Sequence, residues 1–372
     1  MTSRERVSAC LNHEEPDRVP IDLGGTGTTT LLVDTYNNLK QYLGIKSETQ
    51  LGSRANQTVK VDEEVLKYFN ADVRCISIKC PKSSEKEVLG NCFIDEWGIT
   101  RKRVGFYYEI VKSPLEEAQL KDLEKYSWPD PTDPERVQGL REEAKELRKN
   151  TKFAITGECP STIFEQSCYI RGYENFLIDL ISNKKFAHAL LRKITNIQKW
   201  KMELFLNSVG EYLDILCAGD DLATHRGLAV SPDLYREVIK PYQEELFSFF
   251  KSKTNAKLWY HSCGNIYPLI EDLIDIGVDI LNPVQVTAGD MGNTVKLKEE
   301  FGGKLSFWGA IDTQKVLPYG SEEDVRREVR KRIQELSSCG GYVLASINNM
   351  CADIPPENIC AMFDEALKFG KY

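Results

Sequence analysis

The chain has 372 residues, of which 41% are hydrophobic and 28% charged, and it carries a formal net charge of −8. This composition is typical of a soluble globular protein, and the negative charge argues against nucleic acid as a partner. No apolar run approaches the roughly 20 residues that span a bilayer, and the polar start of the chain does not resemble a signal peptide. We therefore expect a cytoplasmic protein with no membrane partner. The 11 cysteines, odd in number and irregularly spaced, indicate reduced thiols rather than disulfide bonds.

The first part of the chain predicts helices and two short strands. Residues 3–12, 32–43 and 62–69 have helical patterns, while 19–23 and 72–78 have the short apolar pattern of buried strands. The glycine- and threonine-rich turn at 24–27 has backbone amides that can cradle an anion. Because it matches neither the phosphate-loop nor the dinucleotide-binding pattern, we favour a tight turn at the rim of a barrel over an anion site.

The segment from residue 87 to residue 114 differs from its surroundings, because it alternates apolar and polar residues with glycine punctuation. This pattern predicts an antiparallel β-ribbon. A proline-rich connector (127–137) and a charged helix (134–149) follow it. Since composition does not change beyond the connector, we expect a single domain, 1–372, with an insertion at about 84–150, rather than two domains.

The second half alternates short apolar runs with amphipathic helices. Six more strands are predicted there, at 153–157, 212–220, 257–261, 279–283, 305–311 and 341–346. With the two earlier strands this makes eight, and eight buried strands alternating with helices are typical of a closed parallel barrel. The predicted fold class is therefore α/β, a (β/α)8 TIM barrel with N-terminal helices and an inserted antiparallel β-ribbon.

The chemistry of such a barrel lies at the carboxyl ends of its strands. His261 and Cys263 follow the strand at 257–261 and, two residues apart, can face one ion together. Cys351 lies beyond the last strand, at the same end of the barrel. One nitrogen and two thiolates suit zinc, and three protein ligands leave a fourth position for substrate. The alternative is that Cys351 is a buried or idle thiol.

Several longer motifs carry a resemblance to a known family. They read EPDRVPIDLGG, DEWGITRKR, CAGDDLATHRGLAVSPDLYREVIKPY, YHSCGNIYPLIEDLIDIGVDILNPVQ and NNMCADIPPENICAMFDEA. Over nearly its whole length the chain resembles the uroporphyrinogen decarboxylase superfamily. Within it, the chain resembles the cobalamin-dependent methyltransferases, which include methanol- and methylamine-linked coenzyme M methyltransferases and bacterial O-demethylase components. Zinc-binding members have a His-x-Cys pair and one cysteine far downstream, and His261, Cys263 and Cys351 match these positions.

The resemblance implies methyl transfer with zinc and a corrinoid. The Asp-x-His-x-x-Gly signature of cobalamin carriers is absent, since the nearest segment, 221–227, has the wrong spacing; a separate corrinoid protein is therefore the expected partner. Zinc would either act as a Lewis acid on a methylated substrate or activate an acceptor thiol. We favour the first direction, with an aryl methyl ether as the small methylated substrate. The sequence leaves open whether the protein forms a homodimer.

Other residues at the strand ends complete the predicted site. Asp220, Asp221 and Glu158 are catalytic candidates, as extra ligands, as partners of His261 or as groups that hydrogen-bond substrate. The alternative for the Asp220–Asp221 pair is capping of the helix that follows. The predicted substrate-binding residues are Asp22, Trp259, Asn282, Gln285 and Trp308. For the aromatic members of that set, packing inside the barrel is the alternative.

Two other functions remain open from the sequence. One is decarboxylation of uroporphyrinogen, whose eight carboxylates require cationic residues near the pocket. Between Arg18 and Arg54 the chain contains no arginine, and this segment includes the stretch GGTGTTTLLVDTYNN, which argues against that activity. The other is a barrel that binds a small ligand without catalysis.

Overall fold

The computed structural model describes residues 1–82, 84–160 and 162–372. Its centre is one curled sheet of seven parallel strands, in which sequential strands are neighbours. These strands are β1 (Val73–Ser77), β2 (Ala154–Glu158), β3 (Ile215–Gly219), β4 (Lys257–His261), β5 (Ile280–Asn282), β6 (Ser306–Ile311) and β7 (Tyr342–Ser346). The predicted barrel strands from 72–78 onward are thus present, with ends that shift by a few residues at most.

The eighth position is occupied by an irregular segment that closes the barrel. The amide of Asp22 donates to the Leu344 carbonyl (2.9 Å) on β7, and the amide of Asp72, just before β1, donates to the Ile21 carbonyl (2.8 Å). Within residues 19–23 only Ile21 forms a β-bridge, so the prediction of a full strand there is wrong. Pro20 has no N–H to donate, and the amide of Ile21 is taken by the Asp72 side chain at 2.9 Å, which prevents a longer ladder.

The interior of the barrel is apolar and is plugged at one end. Alternate residues of the strands form an inner cluster that includes Trp259 and Trp308. The first helix adds Val7, Cys10 and Leu11 to this cluster. It lies at the amino ends of the strands, since the Gly341 amide, just before β7, donates to the Cys10 carbonyl at 2.7 Å. The open end of the barrel is therefore the one at the carboxyl ends of the strands.

Helices pack around the outside of the sheet with their apolar faces inward. The α-helices span Ser3–Leu11, Val33–Leu43, Glu63–Tyr68, Leu140–Asn150, Phe164–Arg171, Tyr173–Ser182, Lys184–Val209, Pro232–Leu234, Lys240–Lys253, Ile270–Asp275, Thr294–Phe301, Val316–Tyr319, Glu322–Leu336 and Pro356–Phe369. The helix predicted at 134–149 is divided into a 3-10 turn, Pro134–Val137, and a helix that begins at Leu140. Gly139 separates them, because its φ of 76° is incompatible with a continuous helix.

The predicted ribbon is a four-stranded antiparallel sheet. Its strands, Lys86–Val88, Cys92–Ile94, Thr100–Val104 and Tyr107–Lys112, pair in sequential order, and we call residues 86–112 the ribbon. Two small hairpins were not predicted; they pair Gln50–Ser53 with Thr58–Lys60 and Ala223–Thr224 with Gly227–Leu228. The division into one domain with an insertion at about 84–150 stays a prediction. Within the described ranges, no helix has the length and apolar character needed to cross a membrane.

Candidate metal centre

Three possible metal ligands converge at the carboxyl ends of β3 and β4. Asp221 follows β3 by two residues, His261 ends β4 and Cys263 follows it by two. Their ligating atoms all lie within 4.8 Å of one another, and we call these three residues the candidate metal centre. His261 Nε2 is 3.3 Å from Cys263 Sγ and 3.7 Å from Asp221 Oδ1. Because a tetrahedral zinc ion would hold such donors roughly 3.4–3.6 Å apart, the donor set fits zinc.

The orientation of His261 is set by a buried amide. Asn282, the last residue of β5, donates from Nδ2 to the Trp308 carbonyl at 3.0 Å, so its Oδ1 faces Nδ1 of His261 at 2.6 Å. An amide oxygen only accepts hydrogen bonds, and Nδ1 therefore carries the imidazole proton. The lone pair is then on Nε2, which faces Cys263 and Asp221. This is the arrangement that second-layer partners impose on metal-binding histidines.

The chain around Cys263 is held by hydrogen bonds and by a required glycine. The Cys263 amide donates to Asp221 Oδ1 at 2.8 Å, and the Gly264 amide donates to Gln285 Oε1 at 2.6 Å. Gly264 has a φ of 89°, and a Cβ there would lie 2.6 Å from the Thr224 carbonyl oxygen, so only glycine fits. Gln285, predicted to bind substrate, therefore contacts the backbone of the site.

Burial raises the pKa of the Cys263 thiol well above its usual range, and the charges of Asp221 and Glu165 raise it further. The thiol therefore stays protonated at neutral pH until a cation binds. Binding a metal ion to such a thiol releases its proton, so the affinity for the metal increases with pH.

Cys351 does not belong to this group in the described part of the chain. Its Sγ is hydrogen-bonded to the Tyr107 hydroxyl of the ribbon (3.2 Å) and lies 3.6 Å from the Asn349 carbonyl oxygen. Asp221, which was predicted as a catalytic candidate, is the third member of the group in place of Cys351. The loop that carries Cys351 nevertheless comes close to Cys263 in space, because Asn348 Nδ2 is 3.9 Å from Cys263 Sγ. A role of Cys351 as a ligand stays a prediction.

The carboxylate of Asp220 is used in hydrogen bonds within the fold. Its carboxylate accepts the amides of Ile163, Phe164 and Glu165 at 2.9–3.1 Å and the side-chain amide of Gln243 at 2.9 Å. It thus caps the start of the helix Phe164–Arg171, not the segment that follows Asp220 in the chain. With four N–H donors on its two oxygens, it has little capacity left for substrate.

Glu158 is a buried carboxyl group at the end of β2. Oε1 accepts the Gly27 amide at 2.8 Å, and Oε2 accepts the Ser77 hydroxyl at 3.1 Å. Burial raises the pKa of Glu158, while the hydrogen bonds that it accepts from Gly27 and Ser77 oppose this shift. Glu158 is not a member of the three-ligand group found among the described residues, and its catalytic role stays a prediction.

The two tryptophans lie inside the barrel. Trp259 stacks on His261, with ring centroids 5.9 Å apart and an interplanar angle of 23°. Its Nε1 has no hydrogen-bond partner among the described residues. Trp308 Nε1 donates to Asp22 Oδ2 at 2.8 Å, and both residues are almost fully buried. Packing therefore accounts for Trp308 and Asp22, whereas Trp259 is adjacent to the candidate metal centre.

Asp22 leads to a prediction about pH. Burial raises its pKa to about 6, whereas an ordinary aspartate titrates near 3.9. A raised carboxyl pKa contributes stability that is complete below about pH 4 and is lost as pH rises through about 6. Between pH 4 and pH 7 the free energy of unfolding of the natural protein should therefore fall, relative to that of Asp22→Asn, by roughly 3 kcal/mol at most. Denaturant unfolding of both proteins at several pH values measures this difference, and a constant difference would contradict it.

Some residues near the site were not predicted. Glu165 belongs to no strand-end motif, because it lies in the first turn of the helix Phe164–Arg171. Burial, together with the charge of Asp221, raises its pKa to about 8. The Tyr169 hydroxyl donates to Glu165, and Arg101 of the ribbon lies 5.5 Å from the Tyr169 ring. No sequence signal distinguishes these residues, because helix residues and ribbon residues reach the site only through folding.

Comparisons with known proteins agree with this architecture. The family model described as Uroporphyrinogen decarboxylase (URO-D) matches residues 108–369, well over half of the chain. Among solved structures, a methyltransferase from Methanosarcina mazei is 19% identical and has a TM-score of 0.69, with 99% of each chain covered. The structure titled "The crystal structure of CbXyn10B in native form" is 13% identical over 62% of this chain and 82% of that one, and its TM-score of 0.33 supports no argument. No curated protein sequence matches. At 19% identity the likeness to the methyltransferase shows a shared fold.

Proposed function

The chain belongs to the uroporphyrinogen decarboxylase family, and on this premise we propose that it is a corrinoid-dependent methyltransferase. It moves a methyl group between a small methylated substrate, such as an aryl methyl ether, and the corrinoid of a partner protein. The observation that carries the proposal is the convergence of Asp221, His261 and Cys263 at the open end of the barrel. These three residues would hold zinc, which would supply Lewis acidity toward the oxygen, nitrogen or sulfur that carries the methyl group.

The protein's own residues prepare this site. Asn282 holds the protonated Nδ1 of His261, which leaves Nε2 free for the metal. Asp221 holds the Cys263 amide and so keeps the thiol beside the imidazole. Trp259 stacks on His261 and gives it an apolar floor that excludes water from the inner side of the centre.

Decarboxylation of a polycarboxylate is the second candidate, because the family is named after this reaction. The turn at residues 24–27, at the rim of the barrel, argues against this activity. Its Gly25 and Gly27 amides donate to the carboxylates of Asp22 and Glu158, so a substrate with many carboxylates would meet groups that are themselves acidic. A barrel that binds a ligand without catalysis is the third candidate, and the convergence of Asp221, His261 and Cys263 supports catalysis instead.

One experiment separates the three candidates. Protein purified without chelator is analysed for zinc, then tested for methylation of cob(I)alamin by aryl methyl ethers and for decarboxylation of uroporphyrinogen. We expect about one zinc per chain, methylation of cob(I)alamin and no decarboxylation. Decarboxylation without a zinc requirement would support the second candidate. Absence of zinc, even after zinc is added, together with absence of both activities would support the third.

A further inference from the structure

We propose that His225 is a positioning residue of the candidate metal centre, which acts through Gln285 to hold the turn that carries Cys263. The inference rests on the proposed function, because it concerns the metal of the same site. It goes beyond that function by assigning a role to the hairpin of residues 223–228, which we call the rim hairpin. It does not depend on which side chain supplies the third ligand.

The first support is that the turn after β4 is held at three consecutive backbone amides. The amides of residues 263–265 donate, in that order, to Asp221 Oδ1 (2.8 Å), to Gln285 Oε1 (2.6 Å) and to the Thr224 carbonyl oxygen (2.9 Å). Of these acceptors only the Gln285 amide has a donor end and an acceptor end that can exchange places. A flipped Gln285 would turn its NH2 group toward the Gly264 amide, so its orientation must be fixed by another contact.

The second support is that the His225 imidazole supplies this contact. Gln285 Nε2 lies 3.0 Å from His225 Nε2. Because the oxygen of Gln285 accepts the Gly264 amide, its NH2 end is the donor here, and His225 Nε2 is the acceptor with the proton on Nδ1. Both polar atoms of Gln314 lie 2.9–3.0 Å from the same nitrogen, but its oxygen already accepts the Thr287 hydroxyl at 2.7 Å. The lone pair of His225 Nε2 therefore faces two NH2 groups.

The third support is the packing of the rim hairpin on this turn. A Cβ at Gly264 would lie 2.6 Å from the Thr224 carbonyl oxygen and 2.8 Å from the Ala223 carbonyl oxygen, so the backbone just before His225 lies directly against the turn. Gln285 is buried, whereas His225 is exposed at the rim. Without the imidazole, the NH2 group of Gln285 would be a buried donor that has lost an acceptor, which favours reorientation of the amide.

Zinc affinity, measured by competition with a chromophoric chelator, tests the inference. His225→Phe keeps a ring in place and removes the acceptor, and it should lower the affinity roughly 3- to 10-fold, as expected for one lost hydrogen bond. His225→Gln should restore most of the affinity, because its side-chain oxygen can accept from Gln285. Gln285→Ala should lower the affinity at least as much as His225→Phe does. Adding His225→Phe to Gln285→Ala should cause no further loss, since one residue acts through the other.

His188→Phe is the matched control, since it makes the same substitution on the outer helix Lys184–Val209, where His188 Nδ1 lies 3.0 Å from the Tyr242 hydroxyl. Its zinc affinity should equal that of the natural protein. In metal-free protein, amide hydrogen exchange over residues 258–266 should be faster in His225→Phe than in His188→Phe. An unchanged affinity in His225→Phe, or additive losses in the double variant, would overturn the inference while leaving the proposed function intact. Failure of the natural protein to bind zinc would overturn the proposed function, and the inference with it.

Discussion

Replacing Cys263 with serine is expected to lower the affinity for zinc by at least about a hundredfold. Cys263 supplies the thiolate of the candidate metal centre, with its Sγ 3.3 Å from His261 Nε2. A serine hydroxyl stays protonated at neutral pH and is a poor ligand for zinc, whereas the bound thiol is deprotonated by the metal. Competition against a chromophoric chelator at fixed pH measures the change.

Two further variants make this test specific. Cys339→Ser changes an exposed cysteine in the turn before β7, at the opposite end of the barrel, and should leave the zinc affinity unchanged. Asp221→Asn should lower the affinity, because it removes the charge of the third ligand. If Cys263→Ser binds zinc as tightly as the natural protein does, the proposed metal centre is wrong.

The barrel could be predicted from the sequence because its strands are buried on both faces. Such strands have continuous apolar runs that differ clearly from the amphipathic helices between them. The strand Lys257–His261 has the predicted ends. The segment 19–23 has the same apolar pattern, yet it forms only one bridge, because the Asp72 side chain competes for the Ile21 amide. A tertiary contact of this kind leaves no trace in the local pattern.

The site was harder to predict because tertiary packing, and not spacing in the sequence, determines which side chains face it. Asp220 and Asp221 are adjacent in the sequence, but one caps a helix that begins near Ile163 while the other holds Cys263. No pattern of two consecutive carboxylates indicates which one turns toward the candidate metal centre. Tyr107 shows the same limit more strongly, since its contact with Cys351 depends on where an inserted ribbon folds over the barrel.

The last prediction concerns a residue that acts through His261. Asn282→Ala is expected to lower the zinc affinity by roughly 10- to 100-fold, the usual effect of removing a partner of a metal-binding histidine. Without the Asn282 oxygen at 2.6 Å, nothing favours the proton on Nδ1, and part of the protein then carries it on Nε2, where it blocks the metal. The same chelator competition measures the affinity.

The tautomer can be observed directly, because the chain contains only four histidines. In protein labelled with nitrogen-15 at histidine and free of metal, the His261 ring signals should report Nδ1–H in the natural protein and a mixture in Asn282→Ala. Asn282→Asp is the matched control, since a carboxylate oxygen can still accept from Nδ1, and it should restore both the tautomer and most of the zinc affinity. Equal loss of affinity in the Ala and Asp variants would indicate that Asn282 acts through packing of the strand ends, with its contact to the Trp308 carbonyl as the interaction that matters.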